Sequence, residues 1–207
     1  MKIFKSLFIS FVSVLLAGNI AFATESVGID ANTALQKLIK GNEHFVSMNL
    51  KHPDQNKLRR TELTKGQQPF AVILSCSDSR VSPEIVFDQG LGDIFVVRVA
   101  GNVLDDNVIG SIEYAVEHLG AQLIVVLGHE RCGAVSAAVK GVGGNSHILC
   151  LAKAIQPAID KAKTEKGDLI DNSIHDNVKL VVDSLKSSEP VLSEYIKNGK
   201  LSVVGAY

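Results

Sequence analysis

The run Phe70-Ala71-Val72-Ile73-Leu74-Ser75-Cys76-Ser77-Asp78-Ser79-Arg80 opens with five consecutive apolar residues and closes on small and charged ones. Five apolar residues are too few for a typical helix, and Val and Ile suit a pleated backbone. Phe70 to Leu74 therefore reads as a strand covered on both faces. Ile94-Phe95-Val96-Val97-Arg98-Val99 and Leu123-Ile124-Val125-Val126-Leu127 repeat the pattern. Between these two, Ile109, Ile112, Val116 and Leu119 fall along one side of a helix that Gly120 is suited to close. Ser82-Pro83 has the form of a helix start, with Ser as cap and Pro at the first helical position. Buried strands alternating with helices imply an α/β fold, a mostly parallel central β-sheet flanked by helices.

Outside this frame, Asp30 is placed to cap a helix through Ala34, Leu35, Leu38 and Ile39, with Gly41 able to end or interrupt it. Residues 47 to 69 are polar, lack sustained periodicity and contain Pro53. Together these segments form a helical arm, about 30–66, expected to wrap round the domain or a neighbouring subunit. Downstream, helices are expected near 132–140, 148–163, 174–187 and 189–197, followed by a last strand at Leu201-Ser202-Val203-Val204. There is no internal repeat.

The N-terminus carries a different kind of signal. Lys2 and Lys5 precede an apolar stretch from Leu7 to Ile20, which ends in Ala21-Phe22-Ala23. A basic start, a short apolar core and an A-x-A site are the marks of a cleavable export signal, with cleavage expected before Thr24. The apolar core falls short of the roughly 20 residues a spanning helix needs, so no stable membrane anchor is expected. The periplasm is the expected destination, with secretion as the alternative. Removing 23 of the 207 residues leaves 184, which fits one domain, 24–207, with an α/β core from about 67. Lys2 and Lys5 leave with the signal, so 19 basic residues face 22 acidic ones and the formal charge becomes −3. That balance argues against a nucleic-acid partner.

Three cysteines, an odd number, remain in the exported chain. Cys150 sits in the apolar run Ile148-Leu149-Cys150-Leu151 and is expected to be a buried small hydrophobe. The other two lie in richer surroundings. Cys76 follows the first strand's apolar run by two residues, and His129 follows the third's by two, opening His129-Glu130-Arg131-Cys132-Gly133. In parallel α/β sheets functional groups gather beyond the carboxyl ends of the strands, so both motifs fall at one edge. Two thiolates and an imidazole suit zinc, and three protein ligands leave a fourth position for water. Zinc can lower the pKa of such a water to about 7, although two thiolates make this harder than three imidazoles would. Asp78 is placed to accept a hydrogen bond from that water or, alternatively, to ligate the metal and close the site. A two-pronged ion pair with Arg80 would hold the carboxylate away.

These motifs, Cys76-Ser77-Asp78-Ser79-Arg80-Val81 and Gly128-His129-x-x-Cys132-Gly133, resemble those of the β-class carbonic anhydrases. The likeness runs from about Ala34 to Val204. It includes Gly41-Asn42-x-x-Phe45, Phe87-Asp88-Gln89-Gly90-x-Gly92-Asp93, Val96-Val97-Arg98, Gly101-Asn102 and Gly110-Ser111-Ile112-Glu113-Tyr114-Ala115. The resemblance implies reversible hydration of carbon dioxide to bicarbonate and a proton, through attack of zinc-bound hydroxide. It implies one Zn2+ per subunit held by Cys76, His129 and Cys132, with Asp78 and Arg80 catalytic. It also implies a substrate cleft at the interface of a homodimer or dimer-based oligomer, with Gln67, Phe95, Tyr114 and the Gly133 N–H as contacts. Gln68 neighbours Gln67 closely, and Phe95 and Tyr114 have core packing as their alternative role. One branch of the family has a bicarbonate inhibitory site that uses a Trp before the first zinc Cys. Ile73 stands there in this chain, which contains no Trp, so that site is not expected.

Three rivals differ in chemistry. A hydrolase for carbon disulfide or carbonyl sulfide would share scaffold and metal, but relatives with such activity carry longer segments that narrow access to the zinc, and this chain shows no such insertion. A non-catalytic zinc or bicarbonate binder would be expected to have lost Asp78 or Arg80, and both are present. A thiol oxidoreductase is disfavoured because no C-x-x-C occurs.

Overall fold

The structure is a computed structural model that describes residues 28–207; the expected export signal and its cleavage point lie outside the described residues. Four strands, β1 (Ala71–Ser75), β2 (Ile94–Arg98), β3 (Leu123–Leu127) and β4 (Ser202–Ala206), form one parallel sheet in the order β2-β1-β3-β4. Ser75 at the end of β1 is level with both Arg98 of β2 and Leu127 of β3, and Leu127 is level with Ala206 of β4. All four carboxyl ends thus reach the same edge. The chain leaves β1 to one side for β2 and then crosses to β3 on the other, which makes the β1/β3 crevice the switch point of the sheet.

Alternation along the strands sends side chains to two faces, and each face is covered. Val72, Leu74, Ile124, Val126 and Val203 pack against α4 (Asp106–Glu117), α7 (Leu169–Lys186) and α8 (Val191–Lys197). Ala71, Ile73, Leu123, Val125 and Leu127 pack on the other face against Ala34 and Leu38 of α1 (Ala31–Val46) and against Phe87. A third apolar cluster caps the carboxyl edge. It joins Cys76 and Cys132 to Val135 and Ala138 of α5 (Gly133–Lys140), to Ile155 and Ile159 of α6 (Ile148–Ala162), and to Ile174 of α7.

Four details depart from the expectations above. Gly41 does not end α1; it lies buried within the helix where α1 crosses the end of α3 (Pro83–Val86), and a Cβ there would collide with the carbonyl oxygen of Phe87. Asn42 next to it donates from Nδ2 to the Val86 carbonyl at 3.1 Å. Within the polar arm a short helix, α2 (Lys57–Glu62), forms behind the Asn56 cap, followed by a 3-10 turn at Leu63–Lys65. The arm is tied down by the buried Asp88 carboxylate, which accepts from the backbone N–H groups of Lys51 at 2.8 Å and His52 at 2.9 Å. Helix α7 starts at Leu169, five residues before the expected start, because Asp168 caps it by accepting from the Asp171 N–H. Cys150 is exposed, not buried. The apolar stripe of α6 is set by Ile155, Ala158, Ile159 and Ala162, and at 3.6 residues per turn Cys150 falls on the far side of the helix.

Gly41 supplies a test in which two effects oppose one another. Helix propensity alone favours Ala over Gly by about 1 kcal/mol, whereas forcing a methyl into a packed contact costs about 1–3 kcal/mol. Here the new atom meets backbone, which yields less than a side chain, so Gly41→Ala is expected to lower the urea unfolding midpoint. An unchanged or raised midpoint would show that α1 does not lie this close to the Phe87 carbonyl.

Candidate metal centre

Each residue of the site is delivered by a strand end. Cys76 directly follows β1, and Arg98, the last residue of β2, reaches across to the turn beyond it. Arg98 donates from Nε to the Cys76 carbonyl at 3.0 Å and from Nη2 to the Asp78 carbonyl at 2.6 Å. His129 follows β3 by two residues, and Arg131 takes a left-handed φ of 52° before Cys132, which caps α5. Arg80 links the two loops by donating from Nη2 to the Arg131 carbonyl at 3.1 Å.

Cys76, His129 and Cys132 are all buried, and their ligand atoms lie within 4.8 Å of one another. The two sulfurs are 3.9 Å apart and both cysteines are free. A disulfide needs about 2.05 Å, whereas two zinc–sulfur bonds of about 2.3 Å at a tetrahedral angle span roughly 3.8 Å. The pair is spaced for a shared metal. The imidazole agrees: Nδ1 lies 2.9 Å from the Glu130 carbonyl oxygen, so Nδ1 carries the proton and donates. That leaves a lone pair on Nε2, which is buried and has no hydrogen-bond partner. A ligating histidine typically has its other N–H held in this way.

Electrostatics sharpen the fit. Cys132 and Cys76 share a hydrogen bond that eases the Cys76 thiol toward thiolate and raises Cys132. The pair releases its first proton readily and resists losing the second, the behaviour expected when only a cation can compensate two buried negative sulfurs. Asp78 stands beside them, its Oδ2 3.9 Å from His129 Nε2. Arg80 grips it with both prongs, Nε to Oδ1 at 2.8 Å and Nη2 to Oδ2 at 2.7 Å, while the Arg80 backbone N–H adds a third bond to Oδ1 at 3.0 Å. The guanidinium first, then that N–H, hold the Asp78 carboxyl well below the usual range, so it is an acceptor at any working pH.

An open cleft of about 680 Å³ reaches His129 and Arg80, running between α1 and the ends of β3 and β4 past Leu38, Phe87 and Leu127. Gln67, Phe95, Tyr114 and Gly133 do not line it. Gln67 is exposed ahead of β1, and Gly133 is exposed at the start of α5. Phe95 on β2 stands 6.4 Å, ring to ring, from Tyr114, which is exposed on α4. Gly133 directly follows Cys132 of the sulfur–imidazole cluster, while Gln67, Phe95 and Tyr114 are not among its three residues.

The family model for carbonic anhydrases matches residues 71–207, and the chain belongs to that family. Among its classes it is a β-carbonic anhydrase, as the parallel sheet and the relatives agree. It is 42% identical over 176 residues to carbonic anhydrase 2 of Mycobacterium tuberculosis, covering 83% of this chain and 85% of that one. It is 40% identical to a carbonic anhydrase of Mycolicibacterium smegmatis over the same shares. Among solved structures, the β-carbonic anhydrase CcaA superposes with a TM-score of 0.66 at 26% identity, covering 84% of this chain and 89% of that chain.

Arg98 was legible only as part of a family pattern, and its work at the site comes from the fold. The sole sequence cue was a charged residue inside an apolar strand, Ile94 to Val99. Because Arg98 pins the carbonyls on both sides of the turn that presents Cys76, Arg98→Met is expected to weaken zinc binding about 10- to 100-fold. Chelator competition measures this, and unchanged affinity would remove Arg98 from the support of the site.

Proposed function

We infer that this chain is a zinc-dependent carbonic anhydrase that interconverts carbon dioxide with bicarbonate and a proton. The observation that carries the reading is the buried convergence of Cys76, His129 and Cys132 beside an Asp78 that Arg80 holds back, in a chain of this family. Cys76 Sγ, His129 Nε2 and Cys132 Sγ are the proposed zinc ligands, one ion per subunit. The ion would supply the Lewis acidity that makes hydroxide available near neutral pH.

The protein's own groups do the rest. Asp78, kept anionic, accepts the proton-bearing side of the entering water and so directs an oxygen lone pair at the carbon of carbon dioxide. Arg80 stops Asp78 from becoming a fourth ligand, and its link to the Arg131 carbonyl keeps the Cys76 and Cys132 loops in step.

Gln67, Phe95, Tyr114 and the Gly133 N–H are proposed as substrate contacts completed by a second copy in a homodimer. Support comes from the exposure of Gln67, Tyr114 and Gly133 and from the apolar side chains exposed on the arm, Ile39, Val46, Met48 and Leu58; Phe95 is half-buried and packs against the core. Among the described residues no helix is long and apolar enough to cross a membrane. Export to the periplasm rests on the basic start, apolar core and Ala21-Phe22-Ala23 site.

Stopped-flow assays on purified protein are expected to show carbon dioxide hydration that a chelator abolishes and zinc restores; hydrolysis of carbon disulfide alone would overturn the assignment. Asp78→Ala is expected to keep its zinc but lose activity by about 10- to 100-fold, and full activity in that variant would take Asp78 out of the mechanism. Protein recovered from the periplasm is expected to begin at Thr24 by mass spectrometry and to sediment as a dimer or a multiple of it. An intact Met1, or a monomer that is fully active, would contradict these two points.

A further inference from the structure

Two thiolates donate more charge to a metal than imidazoles do, which works against the acidity the reaction needs. The surroundings of Cys76 contain a counterweight. Its sulfur accepts the backbone N–H of Gly101 at 3.3 Å. Gly101 lies in the turn after β2 with φ +74°, where a Cβ would press on Ile155 Cδ1 at 2.8 Å and Ala134 Cβ at 3.2 Å. A glycine is therefore the residue that lets this peptide approach the sulfur. The turn is anchored at one end by the Val99 N–H, which donates to the Ser75 carbonyl at 3.1 Å. At the other end the carbonyl of Gly101 accepts from Asn177 Nδ2 at 2.9 Å. Asn177 belongs to α7, 76 residues further along the chain, and is buried. The buried Asn177 amide thus satisfies a buried carbonyl beside the sulfurs, which Ala or Leu at this position would leave without a partner.

We propose that Asn177 is a positioning residue for the metal centre: by holding the Gly101 carbonyl, in the peptide unit next to the one that carries the Gly101 N–H, it fixes the torsions of Gly101 so that this N–H draws charge from the Cys76 sulfur and keeps the metal acidic. Hydrogen bonds to ligating sulfur are an established means of tuning a metal site. The inference rests on Cys76 being a ligand, and the test separates the two ideas.

The test uses the full mature protein loaded with cobalt. Wild-type protein is expected to show sulfur-to-cobalt charge-transfer absorption. In Asn177→Ala and Asn177→Asp the freed sulfur is more electron-rich, so that band is expected to move to longer wavelength while cobalt stays bound. Hydration kcat of the zinc forms should fall about 10- to 100-fold. Val181→Ala, which loosens α7 one turn away without touching Gly101, should lower the melting temperature and leave the band in place. A band unmoved in both Asn177 variants, or moved equally by Val181→Ala, overturns the proposal. Absence of the band in wild type overturns thiolate ligation itself, and the proposal with it. Should the Asn177 variants fail to fold, cadmium-113-substituted wild-type protein decides: scalar coupling between cadmium and the Gly101 amide proton supports the proposal, and a resolved Gly101 signal without coupling overturns it.

Discussion

Parallel pairing in register is the constraint from which the rest of this molecule descends. Because Ser75, Arg98 and Leu127 are level across β1, β2 and β3, three turns meet at one edge, and each turn carries part of the site. A parallel sheet must be covered on both faces, which explains why its strands are mostly apolar and why chemistry is left to the residues at and just past their carboxyl ends. The crevice between β1 and β3 is where the crossover direction changes. The sulfur of Cys76 and the ring of His129 occupy that gap.

Burial at this edge sets the electrical character of the centre. Two thiols and an imidazole sit among Val103, Val135, Ile155, Ile159 and Ile174, where neutralising two sulfur charges with water is not possible. The remaining polar groups are aligned to the same end. His129 donates its Nδ1 proton away from the cluster, Gly101 donates toward a sulfur, and Arg80 restrains the carboxylate that would otherwise compete for the cation. A divalent ion is the one addition that satisfies Nε2 and both sulfurs at once, and zinc matches these donors in softness and spacing.

A fold of this kind distributes precision unevenly. The sheet and the helices beside it hold the candidate ligand atoms, since Cys76, His129 and Cys132 each lie within a few residues of a strand end or at a helix start. The arm before β1 is held differently, by caps and by the Asp88 carboxylate that gathers the Lys51 and His52 amides. Its exposed apolar residues and the open cleft beside α1 belong to the part of the molecule best suited to meeting a second copy.

Local chemistry in the chain determined the strands, the helices between them, the family, and the three side chains that converge. Those features depend on short-range patterns such as apolar runs, caps and ligand spacing, and β3 begins and ends where its apolar run does. Tertiary structure decided what depends on distant partners. Gly41 looked like a helix stop because its lack of a side chain is visible in sequence, while the Phe87 carbonyl that requires it is 46 residues away. Cys150 looked buried because its neighbours are apolar, and only the phase of α6 against the core turns it outward. Arg98 and Gly101 stood in the sequence only as parts of a family pattern and Asn177 in none, because Arg98 and Gly101 meet the Cys76 turn, and Asn177 the Gly101 carbonyl, through backbone groups that every residue carries. Their roles existed only once the sheet had brought those peptides together.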